Sequence, residues 1–143
     1  MLKGEELYQL IPQRPPIVMV SEVRSVGEGC AQTGLQIEKD NIFVKDGKLQ
    51  EAGIIEHIAQ SAAAMEGYKS YVNHLPPKLG FIGEIKKCKI FFLPCVGTHL
   101  LTTLTVLGEA AGVTLVQAKV ETEDSDKEPL VAECQMKIFI KNE

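Results

Sequence analysis

The chain has 143 residues, of which 45% are hydrophobic and 24% are charged, which is enough apolar material for one core. We therefore expect a single domain over residues 1–143. The net charge of -4 and the sequence pI near 5.4 argue against nucleic acid or an anionic membrane as a partner. No apolar run reaches membrane-spanning length, and the first residues lack the apolar core of a signal peptide. A cytoplasmic location is the expectation.

The four cysteines carry little functional information. Cys30, Cys88, Cys95 and Cys134 show no paired CxxC spacing and have no histidine cluster beside them. This pattern favours neither a zinc site nor a redox motif. We predict buried free thiols, no metal site and no cofactor.

The hydropathy pattern predicts two helices and six strands. In chain order these are a helix over residues 3–10, strands over 17–26 and 31–37, a loop over 38–50, a long helix over 49–71, and strands over 79–92, 98–107, 113–121 and 130–141. The prolines within residues 12–16 force an extended path after the first helix. Pro76 and Pro77 cannot continue the long helix, so it ends by Leu75.

The element order predicts the fold class. Only one long helix is present to cover a mainly antiparallel sheet, so the sheet must curve around that helix in an α+β layer architecture. This is the hot-dog fold. A single sheet of this kind leaves strand edges unpaired, and a symmetric dimer removes them. We therefore predict a dimer at least.

The long helix carries the most informative pair of residues, Glu56 and Gln60. At about 100° per residue, Glu56 shares its face with small residues such as Ala59 and Ala63, whereas Ile54 and Ile58 lie on the other side. A helix that is apolar nearly all round is usually a core helix. A carboxylate in such a helix is either a hydrogen-bonded structural group or a reactive one.

Three stretches resemble the 3-hydroxyacyl-[acyl carrier protein] dehydratases, and more closely their divergent relatives in polyene and pigment pathways. Residues 11–20 read IPQRPPIVMV and resemble the family's Pro-His-Arg-x-Pro opening with its apolar strand. Residues 53–60 read GIIEHIAQ and resemble its Glu-x-x-Ala-Gln helix. Residues 91–97 read FFLPCVG and resemble a later strand with its Pro-x-x-Gly turn.

The resemblance implies a dehydratase of fatty-acid or polyene synthesis. It implies dimers with acyl tunnels at the subunit interface, and a thioester substrate carried by acyl carrier protein or coenzyme A. Loss of water requires an acid/base group and N–H donors for the enolate-like carbonyl. Glu56 would be the acid/base, Gln60 its helper, and the backbone N–H groups of Gly53 and Ile54 the donors near the start of the helix.

The chain departs from the family pattern in its histidines. Typical members also use a histidine in a Gly-His-Phe-Pro-Gly loop before the helix, but residues 40–53 contain none, and Gln13 replaces the histidine of the opening motif. His57 is the alternative, although neighbouring helix residues do not face each other. The simpler interpretation is that His57 is a hydrogen-bonded histidine at a subunit interface, without a catalytic role. A histidine from a partner subunit is another solution, and we expect His74 and His99 to be surface or turn residues.

The basic residues Lys86, Lys87 and Lys89 suggest a docking site for an acidic carrier protein. On a regular strand, Lys87 and Lys89 share a face. The alternative is a solvated or lysine-blunted strand edge. Arg14 has the same two interpretations, because an arginine between prolines either docks a carrier protein or anchors its loop to backbone carbonyls.

Three functions follow from these observations. The first is a 3-hydroxyacyl thioester dehydratase with Glu56 as acid/base. The second is a hot-dog thioesterase, in which a helix carboxylate activates water and no histidine is required. The third is a non-catalytic acyl-binding subunit, or the partner of a related dehydratase in a heterodimer. We expect a homodimer or higher oligomer, with a heterodimer with a related dehydratase as the alternative.

Overall fold

The computed structural model describes residues 1–76, 80–123 and 129–140. Four parts of the sequence predictions lie outside these residues. They are the stop at Pro77, the strand start at Leu79, the interior of the acidic loop before Pro129, and the strand end at Lys141.

The described residues form one long helix, a short 3₁₀ helix and nine strands. The 3₁₀ helix is Gly4–Gln9 and the long helix, α1, is Glu51–Val72. The strands are β1 Leu2–Lys3, β2 Glu22–Gly27, β3 Cys30–Gln36, β4 Val44–Lys45, β5 Lys48–Leu49, β6 Gly80–Ile90, β7 His99–Ala110, β8 Val113–Thr122 and β9 Leu130–Ile140.

Seven of these strands form one antiparallel sheet in the order β1-β2-β3-β7-β8-β9-β6. Alternate residues of its inner face, including Leu35, Leu100 and Met136, pack with Ile54 and Ile58 of α1 in one apolar core. This is the alternation expected of a sheet with one covered face. The predicted α+β hot-dog fold, a curved antiparallel sheet around one central helix, is confirmed.

The N-terminal predictions need correction. Residues 4–9 form a 3₁₀ helix rather than an amphipathic α-helix, and the strand predicted from residue 17 begins only at Glu22. Residues 17–19 are unavailable for the ladder because their backbone bonds the side chain of Gln60. The predicted loop over 38–50 contains the β4–β5 hairpin. Gln50 ties this hairpin to the helix start, donating to the Lys45 and Lys48 carbonyls at 3.1 and 3.0 Å.

A close approach fixes the N-terminal segment on α1. Gly67 is buried in the helix, and a Cβ at this position would lie 1.9 Å from the Leu10 carbonyl oxygen. Only glycine lets the two backbones approach so closely. Leu7, Leu10 and Ile11 consequently pack on the helix side in a second apolar cluster.

Among the described residues, no element covers the β6 edge of the sheet. Ile82 and Ile85 pair with Ile138 and Met136 of the inner face, yet they are 40% and 42% exposed. β6 is an 11-residue edge strand that carries exposed isoleucines as well as charged residues, and an exposed edge strand is a template for pairing with another chain. Among the described helices, none is long and apolar enough to cross a membrane.

The cysteine prediction is correct for one residue. Cys134 is buried on β9, and burial raises the pKa of its thiol to about 12. Cys30, Cys88 and Cys95 are exposed.

Candidate functional site

Glu56 and Gln60 lie four residues apart on α1 and their side chains are in contact. The Gln60 side-chain Nε2 donates to Glu56 Oε2 at 2.8 Å. Glu56 is half-buried, whereas Gln60 is 1% exposed. The carboxylate therefore lies at the boundary of the core, with one oxygen held and the other without a hydrogen-bond partner among the described residues.

Gln60 is held in place by the backbone of the N-terminal segment. Its Oε1 accepts from the Met19 N–H at 2.6 Å, and its Nε2 also donates to the Ile17 carbonyl at 2.8 Å. Because Oε1 must face an N–H group, Nε2 must face Glu56, and only one orientation of the amide satisfies all three contacts. Residues 17–19 thus fix the direction of the Glu56 carboxylate through Gln60.

The surface around Glu56 is apolar and open. Ala52, Ala59 and Ala63 extend along the same side of α1 and are exposed or half-buried. A groove of about 220 Å³ runs from Ala59 and Ala63 towards Phe81 and Ile82 at the β6 edge. Such an apolar groove beside a polar group is the usual form of a small-molecule site.

The N–H groups of Gly53 and Ile54 have acceptors within the helix. Both donate to the Gln50 carbonyl, at 3.0 and 3.1 Å. The N–H groups of Glu51 and Ala52 precede this first turn and have no backbone acceptor among the described residues. The N–H groups without a backbone acceptor are therefore two residues nearer the start of the helix than the predicted pair, and Ala52 lies one turn before Glu56.

His57 is directed away from Glu56 into the core. It is 0% exposed, and its ring nitrogens bond the Met19 carbonyl at 2.6 Å and the Thr102 hydroxyl at 2.7 Å. Burial lowers the pKa of His57 to about 4, so the ring is neutral at physiological pH. These contacts support a structural role for His57. They join α1 to the rest of the same chain, whereas the sequence analysis placed His57 at a subunit interface.

The other two histidines lie away from Glu56. His74 is exposed just after the end of α1. His99 lies on the outer face of the sheet, where Nε2 contacts Glu22 Oε1 at 2.7 Å and Nδ1 contacts Gln36 Oε1 at 2.9 Å. His99 was expected at the surface. Its contacts with Glu22 and Gln36 leave its side chain only 18% exposed, so this expectation is wrong in part.

Arg14 is occupied by its own loop. Its guanidinium donates to the carbonyls of Ile11, Gln13 and Tyr8 at 2.8, 2.7 and 3.2 Å, and it lies 4.8 Å from the centre of the Tyr8 ring. These contacts favour the anchoring interpretation of Arg14 over the docking one.

The three lysines are arranged differently from the regular-strand prediction. A bulge between Lys86 and Lys89 places Lys86 opposite Gln135 and Lys89 opposite Glu133. Since Gln135 and Glu133 are two residues apart, Lys86 and Lys89 share a face. Lys87 lies within the bulge at a positive φ of 49°. The prediction that Lys87 and Lys89 share a strand face is therefore wrong.

Comparison with solved structures shows the fold. The dehydratase heterocomplex ApeI:P from Xenorhabdus doucetiae matches with a TM-score of 0.85 at 15% identity, over 96% of this chain and 91% of that chain. A hypothetical thioesterase with coenzyme A from Streptococcus pneumoniae matches with a TM-score of 0.63 at 7% identity, over 85% and 86%. The PaaI protein from the phenylacetic acid degradation operon of E. coli matches with a TM-score of 0.61 at 11% identity, over 82% and 81%.

These structures define the protein as a hot-dog protein. No curated protein sequence matches the chain. The profile of the ApeP-like family, described as ApeP dehydratase, matches residues 5–143. The chain therefore belongs to the ApeP-like dehydratase family, which confirms the predicted resemblance to a divergent dehydratase branch.

Proposed function

We propose that this protein removes water from 3-hydroxyacyl thioesters, with Glu56 as the acid/base and Gln60 as the residue that positions it. The observation that carries the proposal is the Glu56 carboxylate itself. It lies about one helix turn before Ala59, which lines the groove. One of its oxygens is held at 2.8 Å by an amide whose orientation is fixed. Family membership supports dehydration as the reaction class.

The reaction can be written with one carboxyl group. Glu56 takes the proton from C2, and the electrons of that C–H bond form the C2–C3 double bond as the C3–O bond breaks. The same proton then passes to the departing hydroxyl, which leaves as water and restores the carboxylate. The N–H groups of Glu51 and Ala52 would donate to the thioester carbonyl as negative charge develops on it.

A second subunit is part of the proposal. The groove opens towards the β6 edge, where Ile82, Ile85 and Phe91 are 40%, 42% and 52% exposed. A second chain on this edge would pair the open strand and wall the groove. A copy of this chain is the first candidate for the partner.

A related dehydratase is the other partner candidate, because one solved neighbour is a dehydratase heterocomplex. None of the three histidines of this chain is in contact with Glu56 among the described residues. A partner that carries the usual histidine would supply the second acid/base group of the reaction.

The thioesterase alternative has one specific observation in its favour. With no histidine beside Glu56, the site resembles one in which a lone carboxylate activates water against a thioester carbonyl. One solved neighbour is described as a hypothetical thioesterase with coenzyme A. The product distinguishes the two reactions, because a thioesterase releases the acyl chain and a dehydratase keeps it.

The test is intact mass spectrometry of a panel of 3-hydroxyacyl carrier proteins incubated with the purified protein, alone and mixed with a histidine-bearing dehydratase subunit. We expect loss of water that is absent with Glu56→Gln and reduced with Gln60→Met. Release of the acyl chain would establish the thioesterase. No change under either condition, or water loss that persists with Glu56→Gln in the mixture, would show a non-catalytic subunit.

Carrier-protein docking at Lys86, Lys87 and Lys89 is also proposed. Lys86 lies 3.8 Å from Glu84, so Lys87 and Lys89 are the better candidates. We expect Lys89→Glu to lower the association rate with an acidic carrier protein and to weaken the dependence of that rate on salt. Lys3→Glu, at the opposite edge of the sheet, is the control, and equal rates for the two variants would refute docking here.

A further inference from the structure

The bulge in β6 brings two cysteines together across the sheet. Two residue pairs flank this bulge, Lys86 with Gln135 and Lys89 with Glu133. Between them β6 has two residues, Lys87 and Cys88, whereas β9 has only Cys134. A bulge sets two residues of one strand against one residue of its partner. Cys88 and Cys134 are therefore neighbours on adjacent strands, although they are far apart in the sequence.

Both cysteine side chains lie on the inner face of the sheet. Cys134 alternates with Ala132 and Met136 on β9, and all three are buried in the apolar core. The Cys88 thiol reaches the same face, because a hydrogen bond joins it to the Cys134 thiol. Both thiols are free in this structure.

The spacing of the two strands suits a disulfide. Residues opposite each other in an antiparallel pair have Cα atoms about 4.5–5.5 Å apart, and a disulfide requires a Cα separation of about 4.4–6.8 Å. The contact between the two thiols shows that their sulfur atoms stay adjacent within the bulge. Oxidation would therefore join β6 to β9 without a change in their register.

The two thiols differ in exposure and in protonation. Cys88 is exposed, so a small oxidant in the solvent reaches its sulfur directly. Cys134 is 1% exposed, and burial, together with the charge and hydrogen bond of Cys88, raises the pKa of Cys134 to about 12. Cys134 therefore keeps its proton near neutral pH. This difference assigns the first attack on an oxidant to Cys88 and the second step to Cys134.

We propose that Cys88 and Cys134 are a site of reversible oxidation, at which a peroxide converts the two thiols to a disulfide between β6 and β9. Disulfides of this kind in reducing compartments are usually transient and sense oxidants. The inference is independent of the proposed reaction at Glu56, because it involves only the two thiols and a peroxide.

The reaction balances in two steps. The Cys88 sulfur attacks one oxygen of hydrogen peroxide, the O–O bond breaks, and Cys88 becomes a sulfenic acid as the first water leaves. The Cys134 sulfur then attacks the Cys88 sulfur, the S–O bond breaks, and the Cys134 proton leaves with the hydroxyl group as a second water. The two thiols lose two electrons and two protons, and the peroxide is reduced to water.

Peptide mapping without reductant tests the site. The protein is treated with hydrogen peroxide, its remaining thiols are alkylated, and the peptides are identified by mass spectrometry. We expect a peptide cross-linked through Cys88 and Cys134 that dithiothreitol separates again. Since a second subunit on the β6 edge would cover Cys88, the treatment is repeated with Ile85→Lys, in which we expect the same bond.

Three variants separate the roles of the thiols. In Cys134→Ala, oxidation should stop at a sulfenic acid on Cys88, which dimedone labels. In Cys88→Ser, Cys134 should stay reduced. Cys30→Ser is the matched control, because it removes an exposed thiol on β3 and should leave the cross-linked peptide unchanged.

Several results would overturn the inference. One is the absence of the cross-linked peptide from both the wild-type protein and Ile85→Lys. Another is a disulfide that joins Cys88 to Cys30, to Cys95 or to a second chain in place of Cys134. A Cys88 oxidised to sulfinic acid in the wild-type protein, with Cys134 still alkylated, would show that the buried thiol does not take part.

Discussion

His57 is buried as a neutral imidazole between α1 and the sheet. The folded protein holds its pKa near 4, below the ordinary value of 6.5. As pH falls from 6.5 towards 4, the unfolded chain binds a proton at this residue and the folded protein does not. The stabilisation present above pH 6.5 is therefore lost, by up to about 3 kcal/mol near pH 4.

Urea denaturation from neutral pH down to pH 4.5 checks this prediction. We expect the free energy of unfolding to fall more steeply in the wild-type protein than in His57→Gln, which is less stable at neutral pH but has no imidazole to titrate. His74→Gln, at an exposed position, should keep the wild-type slope. Parallel slopes in wild type and His57→Gln would contradict the burial of a neutral ring.

For single residues, the sequence predicted the Glu56–Gln60 pair but not the contacts that orient it. The Glu-x-x-Ala-Gln pattern located Glu56 and Gln60 because an i,i+4 spacing on a helix guarantees proximity. The orientation of Gln60 depends on Met19 and Ile17, about forty residues earlier, and no local pattern encodes such a contact.

The packing of α1 on the N-terminal segment depends on Gly67. We expect Gly67→Ala to lower the free energy of unfolding by about 2 kcal/mol or more, because the added methyl group meets the Leu10 carbonyl. Gly108→Ala is the matched control, since a Cβ at Gly108 meets nothing within 4 Å. Chemical denaturation of both variants checks the prediction, and equal stability would show that the helix and this segment lie further apart.

The β6 strand carries the prediction about association. Ile85→Lys places a charge on the uncovered inner edge, and we expect it to convert the dimer to monomers in light scattering. Leu107→Lys is the control, because Leu107 on β7 is 49% exposed against 42% for Ile85. Dimers that persist in Ile85→Lys, or a wild-type protein that is monomeric alone and with a dehydratase partner, would refute this interface.

At the element scale, the sequence predicted the long helix and the downstream strands because apolar periodicity and prolines act locally. The limits of α1 differ from prediction by only one or two residues. The bulge between Lys86 and Lys89 was missed. The extra residue in β6 is apparent only when this strand is aligned with its partner, β9. The late start of β2 was missed because the side chain of Gln60 competes for that backbone.

Under the proposed function, the whole molecule would supply one half of a site. The carboxylate, its positioning amide and the helix-start N–H groups would come from this chain, and a second subunit at the β6 edge would wall the groove. One hot-dog scaffold would then serve in a homodimer or beside a related dehydratase. In either assembly the proposed reaction depends on Glu56.

The most direct measurement is the reverse reaction in heavy-oxygen water. The protein, alone and mixed with a histidine-bearing dehydratase subunit, is incubated with a 2-enoyl carrier protein, and the intact mass is recorded for wild type and Glu56→Gln. We predict that wild type adds one labelled water to the acyl chain and that Glu56→Gln adds none. Label that appears only in a released fatty acid, or equal addition of water with Glu56→Gln, would contradict the assignment of Glu56 as the acid/base of a dehydratase.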